Sequence, residues 1–436
     1  MKKYIFLGIV ALLPLQFALN AGSSVDLVTT RLLVPAILLL WLLDGFSRKN
    51  IWVANKAETW LIILFLFLPA FSLWIGLDPG KGVRKILYLF SIFPIYFVAA
   101  DFARDEKFRA GIVKAIWASG ALAAAVGIGQ FLLPFLVGLD PTLAAWRKIT
   151  PFFLGSSFGK LVTDNPSWLV NISGETWMRA FGFFPDPHTF SFFVSLCFFA
   201  GLGYFAWERN RKWKIVAGVS VALMFFAIVL SFSRGAYLGV IIGGLFFLAV
   251  LLHGSRSAGR VVVIGAVSFF LAAIFFQGTF QNRLVSAFDL KEGSNAERMK
   301  NWQQAISVVR EYPLFGIGLG NYSSYVDPAS GERSSIYAHN TLLDISSETG
   351  IINGFVFLAL ILASFWRNAD SKNMLNLGLA SGLVYFLVHG IFDTAIWSPQ
   401  VMVILLVILA VGLHKNNEKF KYPADAKSLA GKQNSK

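Results

Sequence analysis

Residues 208–260 read ERNRKWKIVAGVSVALMFFAIVLSFSRGAYLGVIIGGLFFLAVLLHGSRSAGR. Two apolar runs, near 213–232 and 235–252, are each long enough as helices to cross a hydrocarbon core about 30 Å thick. Between them lies a short corner, SFSRG, and outside them lie two basic stretches, ERNRKWK and HGSRSAGR. Short loops rich in Lys and Arg stay on the cytoplasmic side. The two runs therefore make a membrane hairpin whose corner, carrying Arg234, faces outward. Gly239 and Gly243 form a lone small-xxx-small match, read as helix packing.

The same pattern repeats along the 436 residues. Further spans are expected near 4–20, 26–46, 59–77, 84–101, 110–136, 187–207, 260–277, 350–366, 374–392 and 396–414. The chain is 56% hydrophobic and 14% charged, against about 25% charged in soluble domains. A soluble enzyme is excluded. The N-terminus, with Lys2, Lys3 and an apolar stretch ending in Ala18-Leu-Asn-Ala21, has the layout of a signal peptide. We read it as an uncleaved first span; either reading gives the same downstream orientation. Well over half of the 38 lysines and arginines then fall on the cytoplasmic side. Much of the net charge of +14 is topogenic, and nucleic acid is not expected as a partner. Cys197, the single cysteine, is a small buried residue with no disulfide partner in the chain.

The expected fold is an all-α polytopic bundle of about 12 transmembrane helices with two structured extracytoplasmic loops. Helices 1–5 occupy residues 1–136, an outer loop 137–186, helices 6–9 residues 187–277, a large outer loop 278–349, helices 10–12 residues 350–414, and a cytoplasmic tail 415–436. Both loops are too long for connectors and too polar to span.

The second loop is the most informative. SNAERMKNWQQAISVVREYPLFGIGLGNY opens with Ser294 and Glu297 at capping-box spacing. Met299, Trp302, Ile306 and Val309 then recur at helical spacing, and Gly316, Gly318 and Gly320 make a flexible turn. Arg298 lies in the first turn, where a cation opposes the helix dipole. That placement suits an anion held by guanidinium and backbone N–H groups together; a solvated interfacial arginine is the plainer alternative. In YAHNTLLDISSETGIING, His339 starts a helix expected to run into the tenth span. Its neutral-range pKa suits proton transfer, although a lone boundary histidine is more often structural. Arg179 precedes the sixth span, and Asp186, Pro187 and His188 mark its start, where Asp186 can act as cap. Arg179, Arg234, Arg298 and His339 fall on one side of the membrane, which sets them apart from scattered snorkelling cations. His389 and Asp393 lie one helical turn apart in HGIFD and are expected to pair. No metal-binding carboxylate cluster and no phosphate loop or dinucleotide fingerprint is present.

The helix with Arg298 and Trp302, the YPLFGIGLGNY turn and HNTLLDISSETGIING together resemble the domain shared by O-antigen ligases and O-antigen polymerases. MRAFGFFPDPHTF, SFSRGAYLG and HGIFD resemble its remaining signatures, so the likeness runs over roughly residues 175–395. The resemblance implies a GT-C-like membrane glycosyltransferase that takes glycan from an undecaprenyl-diphosphate carrier at the outer face of the bacterial inner membrane. It implies no cofactor and no metal, with membrane lipids as surroundings and a lipid or glycan as acceptor. On that reading Arg234 and Arg298 clamp the leaving diphosphate, and His339 takes the proton of the acceptor hydroxyl. Arg179, Asn340, Trp302, His389 and Asp393 would contact substrate or order the site. A ligase of lipid A–core type is preferred on layout, a polymerase shares the motifs, and a lipid-linked glycan transporter is the alternative from another class.

Overall fold

The computed structural model describes residues 1–22, 25–164, 166–172, 174–254, 293–328, 336–369 and 373–414. The expected span 260–277, the start of the second outer loop, the HGSRSAGR stretch beyond Gly254 and the tail 415–436 lie outside the described residues.

The chain opens with α1 (Lys2–Ala11), and its ten residues rise only about 15 Å. The expected first span 4–20 is therefore not one helix. Pro14 sits in a 3₁₀ turn, Leu13–Leu15, and the chain then forms β1 (Ala18–Gly22), paired antiparallel with β2 (Val25–Val28). Proline has no N–H to continue the helical ladder, and hydropathy alone did not register it.

Next come α2 (Thr30–Ser47), α3 (Ala57–Ser72), α4 (Pro79–Ile92), α5 (Ile95–Phe102) and α6 (Glu106–Val137). The segment expected to form the first outer loop folds as α7 (Leu139–Leu154), α8 (Ser156–Asp164) and a hairpin of β3 (Leu169–Ile172) and β4 (Glu175–Met178). Beyond it run α9 (Pro187–Trp207), α10 (Arg211–Leu230) and α11 (Arg234–Gly254). After the undescribed stretch come α12 (Gly293–Glu311), α13 (Tyr322–Val326), α14 (Thr341–Thr349), α15 (Ile351–Asn368), α16 (Met374–Phe392) and α17 (Pro399–Val411). The protein is thus a largely helical polytopic bundle, with two small hairpins added at its periphery. Among the described residues eight helical stretches are long and apolar enough to cross a membrane, and α3 and α17 are shorter apolar helices.

Starts are written locally. The side chains of Asp78, Asp105, Asp186, Asn210 and Ser398 each accept an N–H from the first turn they precede, and proline follows three of these caps. The centre is α9, packed by α6, α10 and α16, with α11 on the far side of α16. In α9 and α16, 83% and 72% of the membrane-length window is buried, against 33% in α6, α10 and α11. These two helices form the axis and the others present apolar side chains outward. Gly203 and Gly378 bring the axis helices into backbone contact: a Cβ on Gly203 would lie 2.6 Å from the Met374 carbonyl oxygen. Helix α17 is buried from Gln400 to Val411 between α5 and α9. At the edge, α3 packs on α15 and exposes Trp60, Phe67 and Phe71, with Trp74 just beyond it.

The stretch after α12 departs from expectation. Gly316, Gly318 and Gly320 all have positive φ, but the turn is clamped rather than flexible. A Cβ at Gly316 would meet the Glu348 backbone at 2.5 Å, and one at Gly318 would meet Gly76 at 2.4 Å. The helix expected from His339 into the tenth span is also broken. Gly350, at φ +90°, separates α14 from α15, and its missing Cβ makes room for the Leu314 carbonyl.

Candidate functional site

The carboxy-terminal end of α16 meets the start of α14. Asn340 caps α14 by accepting the N–H groups of Leu342 and Leu343, and its own amide donates to the Ile391 carbonyl at 3.1 Å. The Thr341 hydroxyl donates to the carbonyl of Asp393. His339, immediately before this cap, is held at φ +53°, a conformation uncommon outside glycine but one that Asn, Asp and His adopt more often than other residues. The Trp302 indole on α12 reaches its carbonyl at 3.5 Å. The local sequence therefore fixes the backbone of His339 from three helices and leaves its side chain 38% exposed.

His339 Nδ1 lies 3.2 Å from Asp393 Oδ1, and His188 Nδ1 lies 3.3 Å from Asp393 Oδ2. One buried carboxylate serves two imidazoles. A carboxylate has no proton to give, so each Nδ1 is a donor. That fixes His339 in the tautomer whose Nε2 carries a lone pair. Burial opposes charge on His339, but the hydrogen bond and charge of Asp393, with Asp344 behind, prevail and raise its pKa; Arg298 works against them. Burial would raise the Asp393 carboxyl too, yet His188, His339 and Arg298 hold it well below the usual carboxylate range. Arg298 is thus near enough to act on this cluster.

The network continues inward. His188 Nδ1 also lies 3.1 Å from Ser233 Oγ, which is 3.4 Å from His389 Nε2. His389 Nδ1 meets the Tyr385 hydroxyl at 2.7 Å, and Tyr385 donates to the Ser191 carbonyl. His389 is fully buried and stacks on Phe192 at 3.8 Å. The expected pairing of His389 with Asp393 is replaced by this arrangement: their bond is between backbone groups, and the side chains turn to different partners. Asp186 caps α9 as read.

The arginines divide. Arg179 is buried and donates to the carbonyls of Ser231, Ser167 and Phe232, closing the end of α10. Arg234 opens α11 and is buried beside Ser233. Its neighbour Gly235 has no room for a Cβ, which would meet the His389 ring at 2.7 Å. Arg298 and Trp302 lie on α12, which packs on α14. Below the site Lys85 bonds both Glu348 oxygens, at 2.9 and 2.7 Å, with its ammonium 3.9 Å from the Trp397 ring. Asp344 Oδ1 accepts the Ala338 N–H. Burial, with the Glu348 charge, pushes its carboxyl up to about 7 against that bond.

The sequence alone does not mark His188, Lys85 and Asp344 as site residues. Lys85 had a signal, a cation at the head of an apolar span. His188 had none beyond its place after a cap.

Residues 219–359, about a third of the chain, match the family model described as O-antigen ligase. No curated protein matches the chain. The matched segment holds Ser233, Arg234, Arg298, Trp302 and His339, while His188 and Asp393 lie outside it. Over these residues, and over these alone, the chain is similar to the O-antigen ligase family.

Proposed function

We propose that the protein is a GT-C-like O-antigen ligase, independent of metal. It moves a glycan from an undecaprenyl-diphosphate carrier to a lipid acceptor of lipid A–core type, at the outer face of the bacterial inner membrane. The observation that carries the reading is His339, with Nδ1 held by Asp393 and the side chain open at one end of the bundle. An imidazole so fixed presents Nε2 as a base. The acceptor hydroxyl oxygen attacks the anomeric carbon as its proton passes to Nε2. The bond from that carbon to the diphosphate oxygen breaks, and the electron pair leaves with the carrier diphosphate. Arg298 and Arg234 stabilise the charge developing there, as fixed cations do best in a site with little water. Asp393 stabilises the imidazolium that forms. Trp302 and Asn340 set the backbone of His339 and act on substrate through it, and Arg179 braces the wall at α10.

The test is reconstitution of the purified protein with undecaprenyl-diphosphate-linked glycan in EDTA, with and without lipid A–core acceptor. Glycan on the acceptor is the expected product. Longer carrier-linked chains without acceptor would make the protein a polymerase. Movement of labelled carrier lipid across proteoliposomes with no new bond would make it a transporter.

A further inference from the structure

The opposite end of the bundle holds a cleft of about 440 Å³ lined by Trp52, Lys56, Arg104, Arg109 and His414, with Glu106 on its rim. It forms where the α2–α3 connection, the α5–α6 corner and the end of α17 meet. Helix α17 begins beside the His339 site and ends here. The basic loops read as cytoplasmic in the sequence supply the walls.

Arg109 is the informative residue. Its side chain is 4% exposed, and its ion contact is with Glu106 Oε1 at 3.7 Å, longer than a hydrogen bond. Among the described residues its guanidinium makes no hydrogen bond, although five donors are available. Glu106 itself is 54% exposed and weakly placed to neutralise it. Arg104 is held over the Trp52 ring at 4.6 Å and 3.3 Å from Asp101, and that carboxylate is also bonded by Trp41. Lys56 is exposed at the start of α3. His414 Nε2 lies 3.0 Å from the Ala100 carbonyl, so it is a donor there. Burial, with the charges of Arg109, Arg104 and Lys56, lowers its pKa against that bond. The lining carries three cations against one rim carboxylate. The sequence beyond His414 adds six lysines and only Glu418 and Asp425, so its charge does not complement the cleft.

A guanidinium in a largely buried side chain, whose one carboxylate partner lies on the exposed rim, is stabilised when a further anion fills its fork. We propose that this cleft binds a phosphate group, held by Arg109 at its floor and by Lys56 and Arg104 at its mouth. The phosphate reaches it either on a lipid headgroup or as a free ion. The site is separate from the His339 cluster and does not depend on the proposed transfer.

The experiment is native mass spectrometry of the full chain in phosphate-free detergent, titrated with short-chain phosphatidylglycerol or with inorganic phosphate. The expected result is one saturable equivalent. Its affinity should fall at least about tenfold in Arg109→Gln and measurably in Lys56→Gln. Lys56→Gln changes an exposed position and keeps the test readable if Arg109→Gln does not fold. Uptake of phosphatidylglycerol alone assigns the site to a lipid headgroup, and uptake of inorganic phosphate assigns it to a soluble ion. No saturable uptake of either probe, or uptake unchanged in every variant that folds, overturns the proposal.

Discussion

Each end of the bundle carries a histidine that is neither fully open nor fully closed, and the two are governed by opposite surroundings. At one end His339 faces the carboxylates of Asp393 and Asp344, which outweigh burial and favour its charged form. At the other, His414 faces Arg109, Arg104 and Lys56, which join burial in disfavouring it. The residue type is the same, so the sign of the neighbouring charge decides. A histidine beside a carboxylate is equipped to accept a proton and hold it through a reaction, whereas one in a cationic wall remains a neutral donor. The first arrangement suits proton transfer and the second suits an anion.

Four measurements would break or sharpen this contrast. The largest effect is expected for His339→Ala. Loss of a positioned base lowers transfer by roughly 10²–10⁴-fold, with expression and membrane insertion retained; full activity in the purified variant would remove His339 from the mechanism. Arg298→Ala should lower the rate by about 10²–10³-fold, the usual effect of deleting one fixed charge stabiliser. Arg298→Lys should recover only part of it, because an ammonium lacks the planar fork.

Asp393→Asn acts through His339, so its signature is a pH profile. With a raised pKa, the base is lost by protonation as pH falls through a value above 6.5. Removing the Asp393 charge lowers that pKa, and the acid limb of kcat/KM moves to lower pH. A slower enzyme with an unmoved limb would reduce Asp393 to a structural part.

The smallest effect concerns His414 and stability. Its folded-state pKa lies below the unfolded value, so below about pH 6.5 the unfolded chain binds more protons and stability falls on acidification. His414→Gln should flatten that decline in melting temperature, and an unchanged slope would show that other groups set it.

Much of the bundle was legible because an apolar run of about 20 residues has few other fates. Its failures are specific. The run 4–20 satisfied hydropathy but contained Pro14, and its second half found a strand partner at Val25–Val28 instead of lipid. The break at Gly350 follows from a close approach of the Leu314 carbonyl, a contact between segments that periodicity cannot register. In the site, Arg298 and His339 stood out by residue type and position in their helices. Arg179 carried the same kind of signal, yet it donates to the backbone carbonyls of Ser167, Ser231 and Phe232, an arrangement set by tertiary packing. His188 and Asp393 lie 205 positions apart and meet only because α9 and α16 end side by side.

Helix α3 has a consequence for the surrounding lipid. It runs from the Glu58–Arg367 ion pair at one end to Ser72, whose hydroxyl accepts the Leu319 N–H, at the other, yet has only 16 residues. Sixteen residues rise about 24 Å, less than a hydrocarbon core of about 30 Å. Its outward face is apolar, with Trp60 and Trp74 exposed near its two ends as interfacial anchors. A short lipid-facing helix that cannot lengthen draws the two leaflets together beside it. The expected consequence is a bilayer locally thinner along that flank than around the longer helices.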